Sequence, residues 1–469
     1  MIKRFVHAGV SIAVIGAMMF AAPKAVLATY ANLWVATAGS ASAPGSSCAN
    51  PGYVGATDEA IQAAVDDASE GAVVHICAGV YAIDTVIDLH SVEMTLRGAD
   101  RETTVLDGGN TFTGEESDDN GSQIVFSDGH ATVESLTFQH GYSNGQWGGA
   151  VHVEYLTILD SIFVGNYADV PGGAAHGATV HVESSDFSDN HSTGNGGAIS
   201  AWDGLEILGS TLVGNTSEDD GGAVYARSSL VVHDSDIDGN TSEGAGGAFA
   251  VESASSVDID FVSMSDNQST EEFGGAVYVS APGAEITIRN SDFSENAASW
   301  YGGALNIWAY GGRVSIQSSI FTENSAGRYG GAINAWSDLN VVNNSFVGNF
   351  TAEDHNGGGA AIGTGTAEYP EGTSSVTILR NRFSSNSSAG SGGAVLIEYD
   401  IRPSNSVRVS ANQFKRNSAD VSGGGVQIDS CQRSYLGGSV FRIAEGNQFV
   451  ANRAGGRGSK VSGRIISCD

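Results

Sequence analysis

Short runs in which apolar and polar residues alternate recur along most of this chain. One type of run follows a Gly-Gly-Ala triplet, as in the segment Ala150-Val151-His152-Val153-Glu154. A second type precedes a phenylalanine and has apolar residues seven and five positions before it, as Ile286 and Ile288 stand before Phe293. Successive side chains of a strand point to opposite faces, so this alternation predicts short, half-buried strands. The pattern therefore predicts an all-β fold.

The strands belong to an internal repeat with two signatures. Gly-Gly-Ala triplets begin at Gly148, Gly172, Gly196, Gly221, Gly246, Gly274, Gly302, Gly330, Gly358 and Gly392, and Gly423-Gly424-Gly425 continues the series. Between the triplets an apolar residue is followed three positions later by Asn, at Phe163/Asn166, Phe187/Asn190, Leu212/Asn215, Ile237/Asn240, Met264/Asn267, Phe293/Asn296, Phe321/Asn324, Phe346/Asn349, Phe383/Asn386, Phe414/Asn417 and Phe449/Asn452. Such a period predicts a solenoid or a propeller, and a propeller blade needs about 40–45 residues. The shorter units here predict a parallel β-helix of about 12–13 rungs.

The repeated residues have expected places in each rung. Paired glycines permit a tight corner where neighbouring rungs meet backbone to backbone. The residue three positions past the first glycine is apolar and is expected to face the core, at Val151, Ala175, Ile199, Val224, Phe249, Val277, Leu305, Ile333, Ala361, Val395 and Val426. The asparagines are expected to stack at about 4.8 Å as an amide ladder. This ladder explains Asn215 and Asn240 better than glycosylation does, although both stand in Asn-Thr-Ser sequences.

The start of the chain has the pattern of a targeting segment. Lys3 and Arg4 precede an apolar run from Val10 to Ala22, and small residues follow. Residues 1–28 are therefore interpreted as a secretory signal peptide, with an uncleaved anchor as the alternative. No later stretch is long and apolar enough for a membrane-spanning helix, so none is expected after cleavage.

The rest of the chain is expected to form a capped rod. Residues 29–105 are predicted to hold an N-terminal cap and the first rungs, residues 106–454 the repeats, and residues 455–469 a C-terminal cap. Apolar residues at helical spacing predict a short amphipathic helix over 58–68, placed to cover the first rung. The apolar run at 73–76 is predicted as the first strand.

Two parts of the sequence resemble known groups of proteins. Ile61-Gln62-Ala63-Ala64-Val65-Asp66 followed by Cys77-Ala78-Gly79-Val80-Tyr81 looks like the N-terminal cap of secreted proteins with the pectin-lyase-like right-handed β-helix. The alternation of Gly-Gly-Ala-(Ile/Val/Leu) with Phe-x-x-Asn, from 148 to about 452, is similar to the repeats of chlamydial polymorphic outer-membrane proteins. The resemblance implies a right-handed β-helix and a surface-displayed, adhesin-like role.

Charge limits the class of partner. The chain has 21 Lys plus Arg against 53 Asp plus Glu, a net charge of −32. This argues against a nucleic-acid partner, because binding phosphates requires clustered cations. The charge is uneven: residues 29–378 hold 47 acidic and 6 basic residues, whereas residues 379–469 hold 6 acidic and 12 basic ones. The basic end is expected to dock onto an anionic cell-surface polymer or to cover the last rung.

Four cysteines are compatible with an exported protein. Three pairings are open from sequence, and only Cys48–Cys77 with Cys431–Cys468 joins local partners. We expect these two disulfides, one at each end of the fold. The spacing of the cysteines does not suit a zinc site.

A sugar-binding face is predicted on the outside of the rod. Positions four and six past the first glycine are expected to face solvent, which places Trp308 beside Trp336 and Asn306 beside Asn334 on consecutive rungs. An exposed aromatic pair flanked by amides is a plausible platform for a polysaccharide. Further candidates on these positions are Trp202, Tyr225 and Tyr278. The alternative is a purely structural row of stacked side chains.

Metal binding has weaker candidates. His152 and His176 are expected on adjacent rungs, with Glu154 two residues on, and such a group could hold a transition metal. Isolated surface histidines are commoner, so no metal is predicted. Acidic turns at 115–119, 218–220, 271–272 and 353–354 could bind calcium, but none has the spacing of a known calcium loop. No cofactor is therefore expected.

The preferred interpretation is a secreted or cell-surface β-helix that binds a glycan or another surface component without catalysis. The alternative is a carbohydrate-active enzyme, a polysaccharide lyase or glycoside hydrolase, because the pectin-lyase-like fold hosts both. A lyase needs clustered cations, whereas basic residues such as Arg227 are scattered over different rungs. A hydrolase needs paired carboxylates, and Asp219-Asp220 has no partner carboxylate in the same register.

Overall fold

The solenoid predicted from the repeat is the fold of this protein. The computed structural model describes residues 30–109, 123–352, 357–365, 375–399, 406–430, 440–443 and 446–455. Within them, parallel sheets wind into an all-β, right-handed β-helix of about 12 turns. The predicted fold class is confirmed. The signal peptide at 1–28, Cys431, Cys468 and nearly all of the predicted C-terminal cap lie outside these residues.

Sheet I contains the longest strands and forms one side of the rod. It receives one strand from some rungs and two from others. Its described strands are Tyr30–Ala36, Tyr53–Val54, Ala68–Ile76, Ile87–Asp88, Met94–Gly98, Val125–Glu134, Val151–Leu159, Ala175–Glu183, Ile199–Leu208, Val224–Ala226, Ser229–His233, Phe249–Glu252, Ser256–Asp260, Val277–Ser280, Glu285–Arg289, Leu305–Gln317, Ile333–Val342, Ile362–Gly365, Ser375–Leu379, Val395–Tyr399, Ser406–Ser410, Val426–Ser430 and Val440–Ile443.

Sheets II and III complete each turn with short strands. Sheet II holds the Phe-x-x-Asn phenylalanines and consists of Gly79–Ala82, Thr104–Asp107, Thr137–Gln139, Ile162–Val164, Asp186–Ser188, Thr211–Val213, Asp236–Asp238, Ser263–Ser265, Asp292–Ser294, Ile320–Thr322, Ser345–Val347, Arg382–Ser384, Gln413–Lys415 and Gln448–Val450. Sheet III consists of Tyr142–Ser143, Tyr167–Ala168, His191–Ser192, Thr216–Ser217, Thr241–Ser242, Gln268–Ser269, Ala297–Ala298, Ser325–Ala326, Phe350–Thr351, Ser387–Ser388, Ser418–Ala419 and Arg453–Ala454. A separate antiparallel pair, Gly45–Ser47 with Asn50–Pro51, lies near the N-terminus.

A short helix covers the first rungs, as predicted. It runs over Asp58–Asp66 and buries Ile61, Ala64 and Val65. The prediction that 73–76 forms the first strand is wrong. Tyr30–Ala36 precedes it and pairs in parallel with that segment, so Ala68–Ile76 has a neighbour on both sides. A disulfide joins Cys48 to Cys77 with an S–S distance of 2.07 Å, as predicted.

Glycine pairs form the corner between sheets III and I. The first glycine is left-handed, with φ of +73° at Gly148 and +84° at Gly172, a conformation that favours glycine. The second glycine lies against the next rung: a Cβ built on Gly303 would stand 2.1 Å from the carbonyl oxygen of Gly331. The predicted backbone contact between rungs is confirmed.

One rung departs from the predicted register. At 357–359 three glycines occur in a row, and the left-handed residue is Gly359, not Gly358. Every following position is shifted by one, so Ile333 pairs with Ile362 instead of Ala361. The prediction that Ala361 takes the inward position is therefore wrong in register, although Ala361 is also buried.

An amide ladder and an aromatic stack hold the rungs in register. The side-chain amide of each ladder Asn donates to the Oδ1 of the next, in ten steps from Asn166 to Asn452 at 2.9–3.0 Å. Beside it the phenylalanine rings stack; Phe321 and Phe346, for example, have centroids 4.9 Å apart. Asn215 and Asn240 are fully buried, which closes both to glycosylation in the folded chain. The predicted ladder is confirmed.

Candidate functional site

The predicted binding residues stand in two columns at the start of the sheet I strands. Parallel pairing aligns Tyr278, Asn306 and Asn334 in the column four positions past the first glycine. It aligns Trp308 with Trp336 in the column six positions past it. The predicted stacking of equivalent positions is therefore confirmed, and the two columns differ in what covers them.

The column at position four is buried, so the prediction that it faces solvent is wrong. Tyr225 is 6% exposed, Tyr278 7%, Asn306 0% and Asn334 2%. The chain just before each glycine pair folds over this column; the ring of Phe273, for example, lies 6.2 Å from that of Tyr278. These side chains therefore form a supporting layer beneath the surface rather than the surface itself.

The column at position six keeps its accessible tryptophans. Trp202 is 36% exposed, and Trp308 and Trp336 are both partly exposed. The rings of Trp308 and Trp336 have centroids 6.1 Å apart and are tilted by 30°. This stacked pair is the part of the predicted platform that the structure brings to the surface.

A layer of aromatic side chains fixes this tryptophan pair. Phe273 lies 4.9 Å from Trp308, and Tyr278 meets the same indole edge-on at 5.5 Å. Tyr310 lies 6.1 Å from Trp336. We call these five residues the tryptophan ridge. Such packing holds the indoles in one orientation, which reduces the entropy lost when a ligand binds.

Buried polar groups stand next to the ridge. The Asn334 side-chain amide donates to Asn306 Oδ1 at 2.7 Å. Two other donors, the side-chain Nδ2 of Asn306 and the indole Nε1 of Trp308, have no hydrogen-bond partner in the described part of the chain. An unpaired buried donor costs about 1–3 kcal/mol, so these two groups lower the stability of the layer beneath the ridge.

Sequence reasoning missed Phe273 and its equivalents. Aromatic residues stand immediately before the glycine pair in several repeats, at Trp147, Phe273, Tyr301 and Tyr329. The signal was visible, but its meaning depended on knowing that this segment folds back over position four.

A second aromatic group lies toward the N-terminal end of the same face. The indole of Trp147 lies 4.9 Å from the ring of His176 and 4.5 Å from that of Trp202. His152 and His176 pair on adjacent rungs, as predicted, with ring centroids 5.3 Å apart. We call these four residues the His–Trp cluster. Trp202 of this cluster stands four rungs, roughly 19 Å, from Trp308 of the ridge.

The histidines of this cluster are packed as neutral aromatic rings. Burial lowers the pKa of His152, and burial with the neighbouring His152 lowers the pKa of His176 to about 3. Glu154 points to solvent two residues from His152. Within the described ranges, no group of three His, Cys, Asp or Glu residues is arranged to hold a metal ion. The pair thus contributes aromatic surface beside Trp202.

Carboxylates occupy the face between the two aromatic groups. Burial raises the pKa of Asp220 to about 6, and the nearby charges of Asp219, Glu252 and Glu272 act in the same direction. Glu252 accepts a hydrogen bond of 2.7 Å from the hydroxyl of Tyr225. The sequence predicted no partner for Asp219-Asp220, and the structure supplies Glu252 from the next rung.

Asp220→Asn is expected to stabilise the protein by about 1–2 kcal/mol at pH 8. A folded pKa of about 6 against the ordinary 3.8 means that the folded chain retains a proton that the unfolded chain has lost. Stability therefore falls as the pH rises from about 4 to 6. Asparagine removes the charge and keeps an oxygen for the backbone N–H of Ala245, which now donates to Asp220 Oδ1 at 2.7 Å. Urea unfolding at pH 8 and at about pH 3.5 measures the difference.

The control for this variant is Asp219→Asn, on the exposed neighbour. Its effect should stay within about 0.5 kcal/mol at both pH values. An Asp220→Asn stabilisation of equal size at both pH values would contradict the explanation by burial of a charge.

A shallow cavity lies further along sheet I. It measures about 290 Å³ and is lined by Glu93, Thr157, Thr179 and His181, together with a stack of His130 on Tyr155 at 4.3 Å. Tyr155 is 43% exposed. None of the residues predicted from sequence lines this cavity.

The stacked strands and these columns define a parallel β-helix with an aromatic outer face. The family model for the Chlamydia polymorphic membrane protein (Chlamydia_PMP) repeat matches residues 184–201 and 318–335. Both segments contain one Phe-x-x-Asn and one Gly-Gly-Ala-Ile signature. The resemblance of the repeats to that family is confirmed. A search of curated proteins found no match. No helix in the described ranges is long and apolar enough to cross a membrane.

Proposed function

We propose that this protein is a secreted or surface-displayed, adhesin-like β-helix that binds a polysaccharide along the outer face of sheet I. The observation that carries the proposal is the stacked, partly exposed pair Trp308 and Trp336. Flat aromatic faces suit the apolar faces of sugar rings. The match of two repeats to the polymorphic membrane protein repeat supports the surface location.

Charge selects the class of polysaccharide. The face between the ridge and the His–Trp cluster carries Asp220, Glu252 and Glu272, while Arg227 is a nearby exposed cation. Carboxylates repel uronate or sulfate groups that are within a Debye length, about 8 Å at physiological ionic strength. A neutral or amine-bearing polymer is therefore the expected ligand of this face.

The double variant Trp308→Ala/Trp336→Ala is expected to lower the affinity for such a polymer at least about 30-fold, since buried aromatic anchors contribute about 2 kcal/mol or more. Binding of the mature chain to arrays of neutral, amino and acidic glycans identifies the ligand. Titration calorimetry with the best glycan then gives the dissociation constants of the native chain and the variant.

Phe350→Ser is the matched control. Phe350 is 44% exposed on sheet III, where the neighbouring rungs carry Ser325 and Ser387 in register. The substitution Phe350→Ser removes an exposed aromatic ring from another side of the rod and should leave glycan affinity unchanged. Equal losses in both variants, or none in the tryptophan variant, would refute binding at the ridge.

Asp220 and Glu252 support a second candidate function, glycoside hydrolysis. A carboxyl group with a pKa of about 6 could act as an acid while a hydrogen-bonded carboxylate acts as its partner. Incubation with neutral and uronate-containing polysaccharides, with detection of new reducing ends and unsaturated products, tests this. Turnover that is lost in Asp220→Asn and in Glu252→Gln would replace the non-enzymatic proposal.

A further inference from the structure

Four columns of outward-facing positions run along sheet II, away from the aromatic face. Each column is defined relative to the Phe of Phe-x-x-Asn, or to the residue that replaces this Phe in a rung. Two columns lie three positions and one position before it, and two lie one and two positions after it. On the rung of Phe383 the four positions hold Arg380, Arg382, Ser384 and Ser385. Parallel pairing keeps each column in register from rung to rung. Charges in these columns can therefore be compared along the rod.

The sign of the charge inverts along these columns. From the rung of Phe163 to that of Phe346 they contain no Lys or Arg and ten acids: Asp160, Asp186, Asp189, Asp234, Asp236, Asp238, Asp266, Asp292, Glu295 and Glu323. Arg101 reaches Asp160 and Asp186 from a neighbouring turn, at 3.7 and 3.1 Å. The next two rungs contain no acid and four cations: Arg380, Arg382, Lys415 and Arg416.

These four cations form one exposed patch, the basic patch. Arg382 begins a strand that pairs with Gln413–Lys415 on the next rung, and Arg380 and Arg416 stand in the turns at its two edges. The patch thus measures on the order of 16 Å along the chain and one rung, about 4.8 Å, along the axis. All four side chains are exposed, and none has an ion pair with another described residue.

The acidic rungs from Phe163 to Phe321, here called the acidic body, do not neutralise the basic patch in solution. The rung of Phe346, which lies between, carries only Asn343, Ser345, Val347 and Gly348 in these columns. The nearest acid in them, Glu323, is one rung further, about 10 Å from the first basic rung. That distance exceeds the Debye length of about 8 Å at physiological ionic strength.

We propose that the basic patch binds an anionic polysaccharide, such as a uronate-bearing polymer of a cell surface, and attaches the rod by this end. Three of the four cations are arginines, whose planar guanidinium groups form paired hydrogen bonds with carboxylates. The acidic rungs repel the same polymer, so contact is confined to the last rungs and the aromatic face stays free.

Immobilised polygalacturonate, with neutral dextran as a blank, is the probe for this site. The full mature chain should bind polygalacturonate and lose roughly tenfold or more of its affinity between 50 and 200 mM salt, as counterion release requires. Arg380→Gln/Arg382→Gln/Lys415→Gln/Arg416→Gln should abolish binding. A variant with lysine at the three arginine positions should retain charge-dependent binding. An unchanged far-ultraviolet circular dichroism spectrum of the quadruple glutamine variant shows that its rod still folds.

The matched control is Arg227→Gln/Arg313→Gln, which removes exposed arginines from the acidic body and should leave binding unchanged. Equal loss in this control, or unchanged affinity in the quadruple glutamine variant, overturns the proposal. Tighter binding to duplex DNA or anionic vesicles than to polygalacturonate at equal charge also overturns it. So does patch-dependent dimerisation in light scattering. Glycan binding at Trp308 and Trp336 is measured separately and should survive the quadruple variant.

Discussion

Asn324→Ala is expected to lower the free energy of unfolding by about 3–5 kcal/mol. The side chain of Asn324 is fully buried in the middle of the amide ladder. Its Nδ2 donates to the Phe293 carbonyl at 2.8 Å and to Asn349 Oδ1 at 3.0 Å. Its Oδ1 accepts from the backbone and the side chain of Asn296, at 3.1 and 2.9 Å.

Alanine leaves the buried backbone N–H of Asn296 without its acceptor. It also takes one of two partners from Asn296 Nδ2 and Asn349 Oδ1, which keep the Met264 carbonyl and the Asn324 backbone N–H. Each unpaired group costs about 1–3 kcal/mol, and the space vacated is too enclosed for water to replace all the bonds. Chemical unfolding followed by far-ultraviolet circular dichroism measures the loss. Thr322→Ala, on the outer face of the adjoining strand, is the control and should change stability by no more than about 0.5 kcal/mol. Similar values for the two variants would show that the ladder does not hold the rungs together.

Gly303→Ala should be more damaging still and is expected to prevent native stacking of its rung. The new Cβ would lie 2.1 Å from the carbonyl oxygen of Gly331 and 2.4 Å from that of Ser325, and both are backbone atoms that cannot rotate away. Overpacking typically costs about 1–3 kcal/mol, and here the rungs themselves must separate. Soluble yield, thermal midpoint and limited proteolysis of the purified chain report the effect.

Gly311→Ala separates steric contact from backbone strain. Gly311 has a φ of +73°, but a Cβ there would meet nothing within 4 Å. The only expected cost is the left-handed conformation, about 1–2 kcal/mol. Gly303 is not left-handed, so its cost is purely steric. A Gly303 variant no less stable than the Gly311 variant would contradict the explanation by close approach of the rungs.

The repeat made most of the fold predictable. Phe-x-x-Asn and Gly-Gly-Ala each recur in one place per rung, because parallel stacking brings equivalent residues together and only certain residues tolerate that contact. The strand Tyr30–Ala36 escaped prediction because it precedes the repeat and shares none of its signatures. The register at 357–359 escaped because a run of three glycines does not show which one turns left-handed.

The candidate site was only half predictable. The pairing of Trp308 with Trp336 follows from spacing alone. The burial of Asn306 and Tyr278 depends on a segment that folds over them from the preceding corner, and alternation along one strand carries no information about another layer. Glu252 stands at position six of one rung, whereas Asp220 stands in a turn before the glycine pair of another. A comparison of equivalent positions along one column therefore could not predict that these two carboxylates interact.

The two parts of each rung differ in how much their length varies along the rod. Gly172 comes nine positions after Phe163 and Gly423 nine after Phe414, and the largest departure is 13 positions from Phe346 to Gly359. From the glycine pair to the next phenylalanine, the count is 15 at Gly148 and 26 at Gly423. The segment that carries ladder and corner therefore keeps the same length in most rungs, while the opposite side lengthens more often without altering the register of the ladder. Evolution can vary what this molecule displays on that side and leave its scaffold unchanged.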